Sequence, residues 1–67
     1  MEEMVLFDMM EVYPSKLKLT IIDNGETIFN GILGGMAKYV NTENLARKAY
    51  IYFSELDSLK ATVYLQR

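Results

Sequence analysis

The sequence predicts a small α+β domain. Its expected core is a four-stranded antiparallel sheet made from two hairpins, with one or two short helices on one face, in the order α-β-β-α-β-β. Three observations carry this. Residues 16–33, KLKLTIIDNGETIFNGIL, alternate apolar and polar side chains around Asp23-Asn24-Gly25, the pattern of a hairpin with one wet face. Residues 49–53 and 60–65, AYIYF and KATVYL, do the same around Glu55-Leu56-Asp57-Ser58, a second hairpin signal. The stretch before each hairpin has helical spacing instead.

The first helix is expected within residues 3–13, EMVLFDMMEVY. Leu6, Met9, Met10 and Tyr13 fall on one helical stripe, and Pro14 ends it. Glu2 and Glu3 stand where a helix N-terminus favours negative charge. A strand through Val5-Leu6-Phe7 is the alternative.

In the first hairpin, Leu17, Leu19 and Ile21 alternate with Lys16, Lys18 and Thr20. Two registers are open. A two-residue Asn24-Gly25 loop pairs Ile21 with Ile28 and Leu19 with Asn30. A three-residue Asp23-Asn24-Gly25 loop pairs Ile21 with Thr27 and Leu19 with Phe29. A one-residue slip exchanges the two faces of a strand. The second register segregates apolar from polar side chains more cleanly and is the one expected, with Gly25 at positive φ.

Gly31-Ile32-Leu33-Gly34-Gly35 follows as a flexible exit or tight crossing. Its glycines fit neither the GxGxxG of dinucleotide sites nor a P-loop. Met36, Tyr39 and Val40 suggest a short helix ending near Asn41, with Thr42 as a possible cap for a further turn. Leu6 and Met9 before the first hairpin echo Leu33 and Met36 before the second. The covered sheet face should hold Leu17, Leu19, Ile21, Phe29, Ile51, Phe53, Val63 and Leu65.

The run MMEVYPSKLKLTIIDNGETIFNG, then GGMAKYV, then a last hairpin, resembles small uncharacterised proteins carried by phages and mobile elements of Gram-positive bacteria. The resemblance implies a small accessory or interaction protein and brings no catalytic or binding residues with it.

Sixty-seven residues make one domain, residues 1–67, with little surface to bury. The chain has no cysteine and no histidine, so thiol chemistry and the commonest general base are excluded. Asp8 and Glu11, and Glu55 and Asp57, are near each other in sequence but read as solvated charge. No catalytic residue, metal ligand, cofactor or small-molecule substrate is expected. Net charge is −2, against the basic excess that nucleic-acid binding normally shows. The longest uncharged run, Thr27 to Ala37, is too short to span a bilayer. An acidic start, Met1-Glu2-Glu3, is unlike a signal peptide, and a cytoplasmic location is expected.

The expected site is a surface. Tyr50 and Tyr52 share one strand face, and Tyr64 lies at the same facing on the neighbouring strand. With Ile22 and Ile28 on the same side, they form an interface candidate for a second copy of the chain or another protein. The alternative is a nucleic-acid platform that adds Lys16, Lys18 and Lys60 to the tyrosines.

Overall fold

The computed structural model describes residues 1–67. Five strands, β1 (Glu2–Val5), β2 (Lys18–Asp23), β3 (Glu26–Ile32), β4 (Lys48–Phe53) and β5 (Lys60–Leu65), alternate with three short helices, α1 (Met9–Val12), α2 (Met36–Tyr39) and α3 (Thr42–Leu45). A 3-10 turn leads into α1 at Leu6–Asp8 and into α2 at Leu33–Gly35. The strands form one sheet in the order β1-β4-β5-β2-β3. Every neighbouring pair is antiparallel except β2 and β5, which run parallel.

This corrects the expected four-stranded antiparallel sheet in two respects. A fifth strand, β1, occupies one edge, and the two hairpins join through a parallel contact between β2 and β5. Strand character explains which one goes inside. Strand β2 buries both Leu19 and Ile21 and can be covered by neighbours on both sides. Strand β3 carries Gly31 and an irregular register, features that suit an edge.

The first expected helix is also corrected. Glu2–Val5 is extended along β4, and α-helix is confined to Met9–Val12. The stripe itself survives: Leu6 and Met9 are fully buried, while Met10 and Tyr13 pack partly against the core. A helix this short contributes little by itself, so the apolar stripe and not helix propensity holds the segment down. Pairing β1 with β4 satisfies an otherwise bare row of backbone groups.

The hairpin between β2 and β3 closes in two residues, with φ of 53° at Asn24 and 81° at Gly25, the left-handed pair that a tight hairpin turn favours. Asp23 pairs with Glu26 and Ile22 with Thr27, but Ile21 then pairs with Phe29 and Leu19 with Gly31. Ile28 is the extra residue of a bulge. Leu19 therefore faces neither Phe29, as expected, nor Asn30. The bulge turns both Ile28 and Phe29 toward the core and achieves the segregation for which the longer loop was preferred. The Phe29 ring lies across Gly31, where an added Cβ would come within 3.1 Å of it, and stacks on Tyr39 at 6.3 Å. Gly25 has open space around it, so Gly25→Ala tests backbone conformation alone. The change should cost about 1 kcal/mol and lower the melting temperature by several degrees in a thermal scan.

Strand β5 divides the sheet into two equivalent halves, β1-β4 and β3-β2, linked by two matching stretches of chain: β1, 3-10 turn, α1, β2 and then β3, 3-10 turn, α2, α3, β4. The edge registers coincide. Val5 pairs with Lys48 as Ile32 pairs with Lys18, Met4 with Ala49 as Gly31 with Leu19, and Glu3 with Tyr50 as Asn30 with Thr20. The same backbone bond anchors each 3-10 turn: Leu6 N–H donates to the Arg47 carbonyl and Leu33 N–H to the Leu17 carbonyl, both at 2.8 Å. Strand directions and order make this an approximate twofold perpendicular to the sheet. Val63 lies on the axis, flanked by Ile21 and Ile51, and all three are fully buried. The echo of Leu6 and Met9 in Leu33 and Met36 is the sequence trace of this symmetry.

The core is a single cluster of 14 buried residues, none of them polar. Leu6, Met9, Leu33, Met36, Val40 and Leu45 cover the inner sheet face, which presents Leu19, Ile21, Ala49, Ile51, Ala61, Val63 and Leu65. Phe53 was expected in this layer but is 36% exposed, with its ring edge-on to Tyr13 at 5.1 Å. The α3 cap is Asn41, whose Oδ1 accepts from the Asn44 N–H at 2.8 Å, and not Thr42.

Arg47 closes one end of the sheet. Its guanidinium donates to both carboxylate oxygens of Asp23 at 3.0 Å, to Asn44 Oδ1 and to the Gln66 carbonyl. These hydrogen bonds hold the Asp23 carboxyl below its usual value of 3.8; partial burial opposes them, and the charges of Arg47 and Arg67 reinforce them. A carboxyl lowered by folding stabilises fully above its unfolded pKa, and the benefit disappears as pH falls through the folded one. Urea midpoints should therefore decline below about pH 4, and part of that decline should be absent in Asp23→Asn.

Candidate functional site: the open face of the sheet

The helices and 3-10 turns all pack on one side of the sheet, leaving the other side bare. Alternation along each strand decides what that bare side shows. With Leu19, Ile21, Ala49, Ile51, Ala61, Val63 and Leu65 turned inward, their neighbours turn outward. Registers then arrange these outward residues in rows across the strands. One row is Glu3, Tyr50, Tyr64, Ile22 and Thr27; the next is Tyr52, Thr62, Thr20 and Asn30; the third is Lys60, Lys18 and Ile32.

The centre of this face is aromatic and uncharged. Tyr52 and Tyr64 meet edge to face at 5.6 Å, a favourable geometry for two rings. Tyr50, Tyr52, Thr62 and Tyr64 together line a shallow concavity. Tyr52 remains 47% exposed and Tyr64 43%, so the rings are held in place without being covered. Charge is confined to the rim. Lys48 reaches Glu3 at 3.7 Å, and Lys18 and Lys60 stand side by side at the ends of their strands.

Four of the five residues expected on this surface are there: Tyr50, Tyr52, Tyr64 and Ile22. Ile28 is not, because the bulge packs it against the core. Ile32, which is 50% exposed at the far edge, was not expected here; Thr20, Thr62 and Asn30, polar residues of the same face, complete the rows. Their alternation was visible, but strand-to-strand register was needed to bring them together. Lys16 lies outside β2 and is not part of the rows.

Other surfaces offer less. A second, apolar cleft on the helical side is lined by Val5, Phe7, Asp8, Thr42, Leu45 and Ala46. Gly34 forms a tight crossing, since its N–H donates to the Ser15 carbonyl at 2.9 Å and an added Cβ would approach Ser15 to 3.2 Å. No three acidic side chains gather in a cluster able to hold a metal ion. No helix is long and apolar enough to cross a membrane. The chain matches no protein-family model, no curated protein and no solved structure.

Proposed function

We propose that the protein is a non-enzymatic interaction module of the cytoplasm that pairs with a second copy of itself through the open sheet face. The observation that carries this reading is the uncovered row of Tyr50, Tyr64 and Ile22 beside Tyr52, an aromatic centre with charge only at its rim. Interfaces are built this way. A core of 14 residues also leaves much for a second layer to bury, and two sheets packed face to face are a stable architecture. Five strands about 4.8 Å apart, each about 20 Å long, present roughly 500 Å² in projection. Rings standing above the sheet add to that, which brings the face near the roughly 600 Å² per partner of the smaller stable interfaces. A twofold arrangement would set each tyrosine against its counterpart or a near neighbour.

A second copy fits the uncharged tyrosine centre of the face better than a strongly charged partner does. Glu3 pairs with Lys48 on the rim, and the chain as a whole carries −2. The resemblance to small accessory proteins of mobile elements supports an interaction role in place of an enzymatic one. So does the dispersal of Asp8, Glu11, Glu55 and Asp57, all of them exposed. A chain without cysteine needs no oxidising compartment, in keeping with the cytoplasm.

Sedimentation equilibrium over a wide concentration range tests the proposal, with a dimer as the expected result. A monomer of 7.7 kDa that persists at high concentration would refute it. Single-stranded DNA or RNA bound with sub-micromolar affinity at physiological salt, and weakened by Lys18→Ala, would replace it with a nucleic-acid role for the same face.

A further inference from the structure

The approximate twofold provides an internal control for surface charge, and one position fails to match. In one half Lys48 is compensated by Glu3 at 3.7 Å, and its neighbour just past the end of β5 is the uncharged Gln66, whose N–H donates to the Lys48 carbonyl. In the other half the equivalent of Lys48 is Lys18, and Asn30 stands where Glu3 would be. The adjacent position on β5 is Lys60, directly beside Lys18 in the parallel ladder. Neither lysine takes part in either of the chain's two ion pairs. Like charges set side by side on a sheet destabilise it. The two lysines also border a depression of about 330 Å³, lined on the open face by Thr20, Asn30 and Ile32 as well.

We propose that this depression binds a phosphate group. Two ammonium groups match a dianion in charge, whereas a carboxylate would need only one. The Thr20 hydroxyl donates to Asn30 Oδ1 at 3.5 Å, which orients that amide and leaves its Nδ2 group as a neutral donor beside them. Lysine serves such ligands as a point charge, without the fixed fork that arginine would impose. Lys18 and Lys60 are the first residues of their strands, so the site lies at the rim and is reachable beside a partner seated on the tyrosines. A phosphate alone at this rim needs no second copy, whereas a ring seated on Tyr52 would compete with one. Tyr52 shares a row with Thr62 and Thr20, so a phosphate carried on a planar ring could rest the ring there.

Backbone amide shifts in nitrogen-15 NMR test this directly. The full chain is titrated separately with inorganic phosphate, a mononucleotide and a single-stranded oligonucleotide, with chloride at matched ionic strength as the control. Saturable shifts are expected at Lys18, Thr20, Asn30 and Lys60 with phosphate and with the mononucleotide. Lys60→Gln should weaken them about tenfold, the loss of one charge-assisted contact. Equal affinity for the two ligands identifies the phosphate group alone as the ligand. Tighter binding of the mononucleotide, with shifts extending to Tyr52, identifies a nucleotide. A response equal to that of chloride overturns the site, as does a response to the oligonucleotide only. Both lysines are exposed, so the variant should fold. Without phosphate it should melt slightly higher than the parent chain, because the repulsion is gone. A lower melting temperature would remove the argument from uncompensated charge.

Discussion

Ile51→Ala is expected to destabilise the fold by about 3 kcal/mol, within the range for deleting a fully buried isoleucine side chain. Its effect is large because a domain of this length has only roughly 3–10 kcal/mol of stability in total. Ile51 sits beside Val63 in the middle of the sheet with no accessible surface, so nothing can collapse into the gap without disturbing the strands. Ile21 occupies the equivalent place across Val63, and Ile21→Ala should cost a similar amount. Ile22→Ala, one residue along on the half-buried open face, should cost clearly less. Urea unfolding of the three variants gives the comparison. An Ile51→Ala cost below that of Ile22→Ala would contradict the placement of the core.

Tyr52→Ala should shift the proposed dimer toward monomer by on the order of thirtyfold in dissociation constant. Truncating a tyrosine at the centre of an interface typically costs about 2 kcal/mol or more. Tyr52 is chosen because its ring braces Tyr64 at 5.6 Å while remaining 47% exposed, so its loss removes contact surface without opening the core. Sedimentation velocity on parent and variant at matched concentrations reads the shift. If the two associate equally, the tyrosines belong to the free surface of the molecule.

What the sequence conveys well is anything that depends on alternation within one strand. Tyr50, Tyr52 and Tyr64 fall on one face and Leu19, Ile21, Ile51 and Val63 on the other because neighbouring side chains must point in opposite directions. What it conveys poorly depends on partners distant in the chain. Glu2-Glu3-Met4-Val5 has no strand pattern of its own and becomes extended only because β4 offers it an unpaired edge. The stripe Leu6, Met9, Met10 and Tyr13 correctly marks the core-facing positions, fully buried at Leu6 and Met9 and partly so at Met10 and Tyr13, but a 3-10 turn followed by a single helical turn presents them without a longer helix. The hairpin shows both limits at once. Asn24-Gly25 announces the turn, whereas the bulge at Ile28 answers to the core and has no local signature. The meeting of Lys18 with Lys60 requires the parallel register of β2 and β5, which no stretch of either strand announces.

The central position of β5 has a consequence for folding. Of the five strands it is the last in the chain, yet it separates β4 from β2 and contributes Ala61, Val63 and Leu65 to the core. Without those residues, β1 with β4 and β2 with β3 are two sheet fragments with no ladder between them. Each then exposes the edge and apolar face that β5 will later cover, the state in which nascent strands are most prone to pair with the wrong neighbour. Closure also joins residues far apart along the chain, which slows folding relative to helical proteins of the same size. Completing the sheet thus requires a single strand to enter between two edges, β4 and β2, that do not otherwise meet.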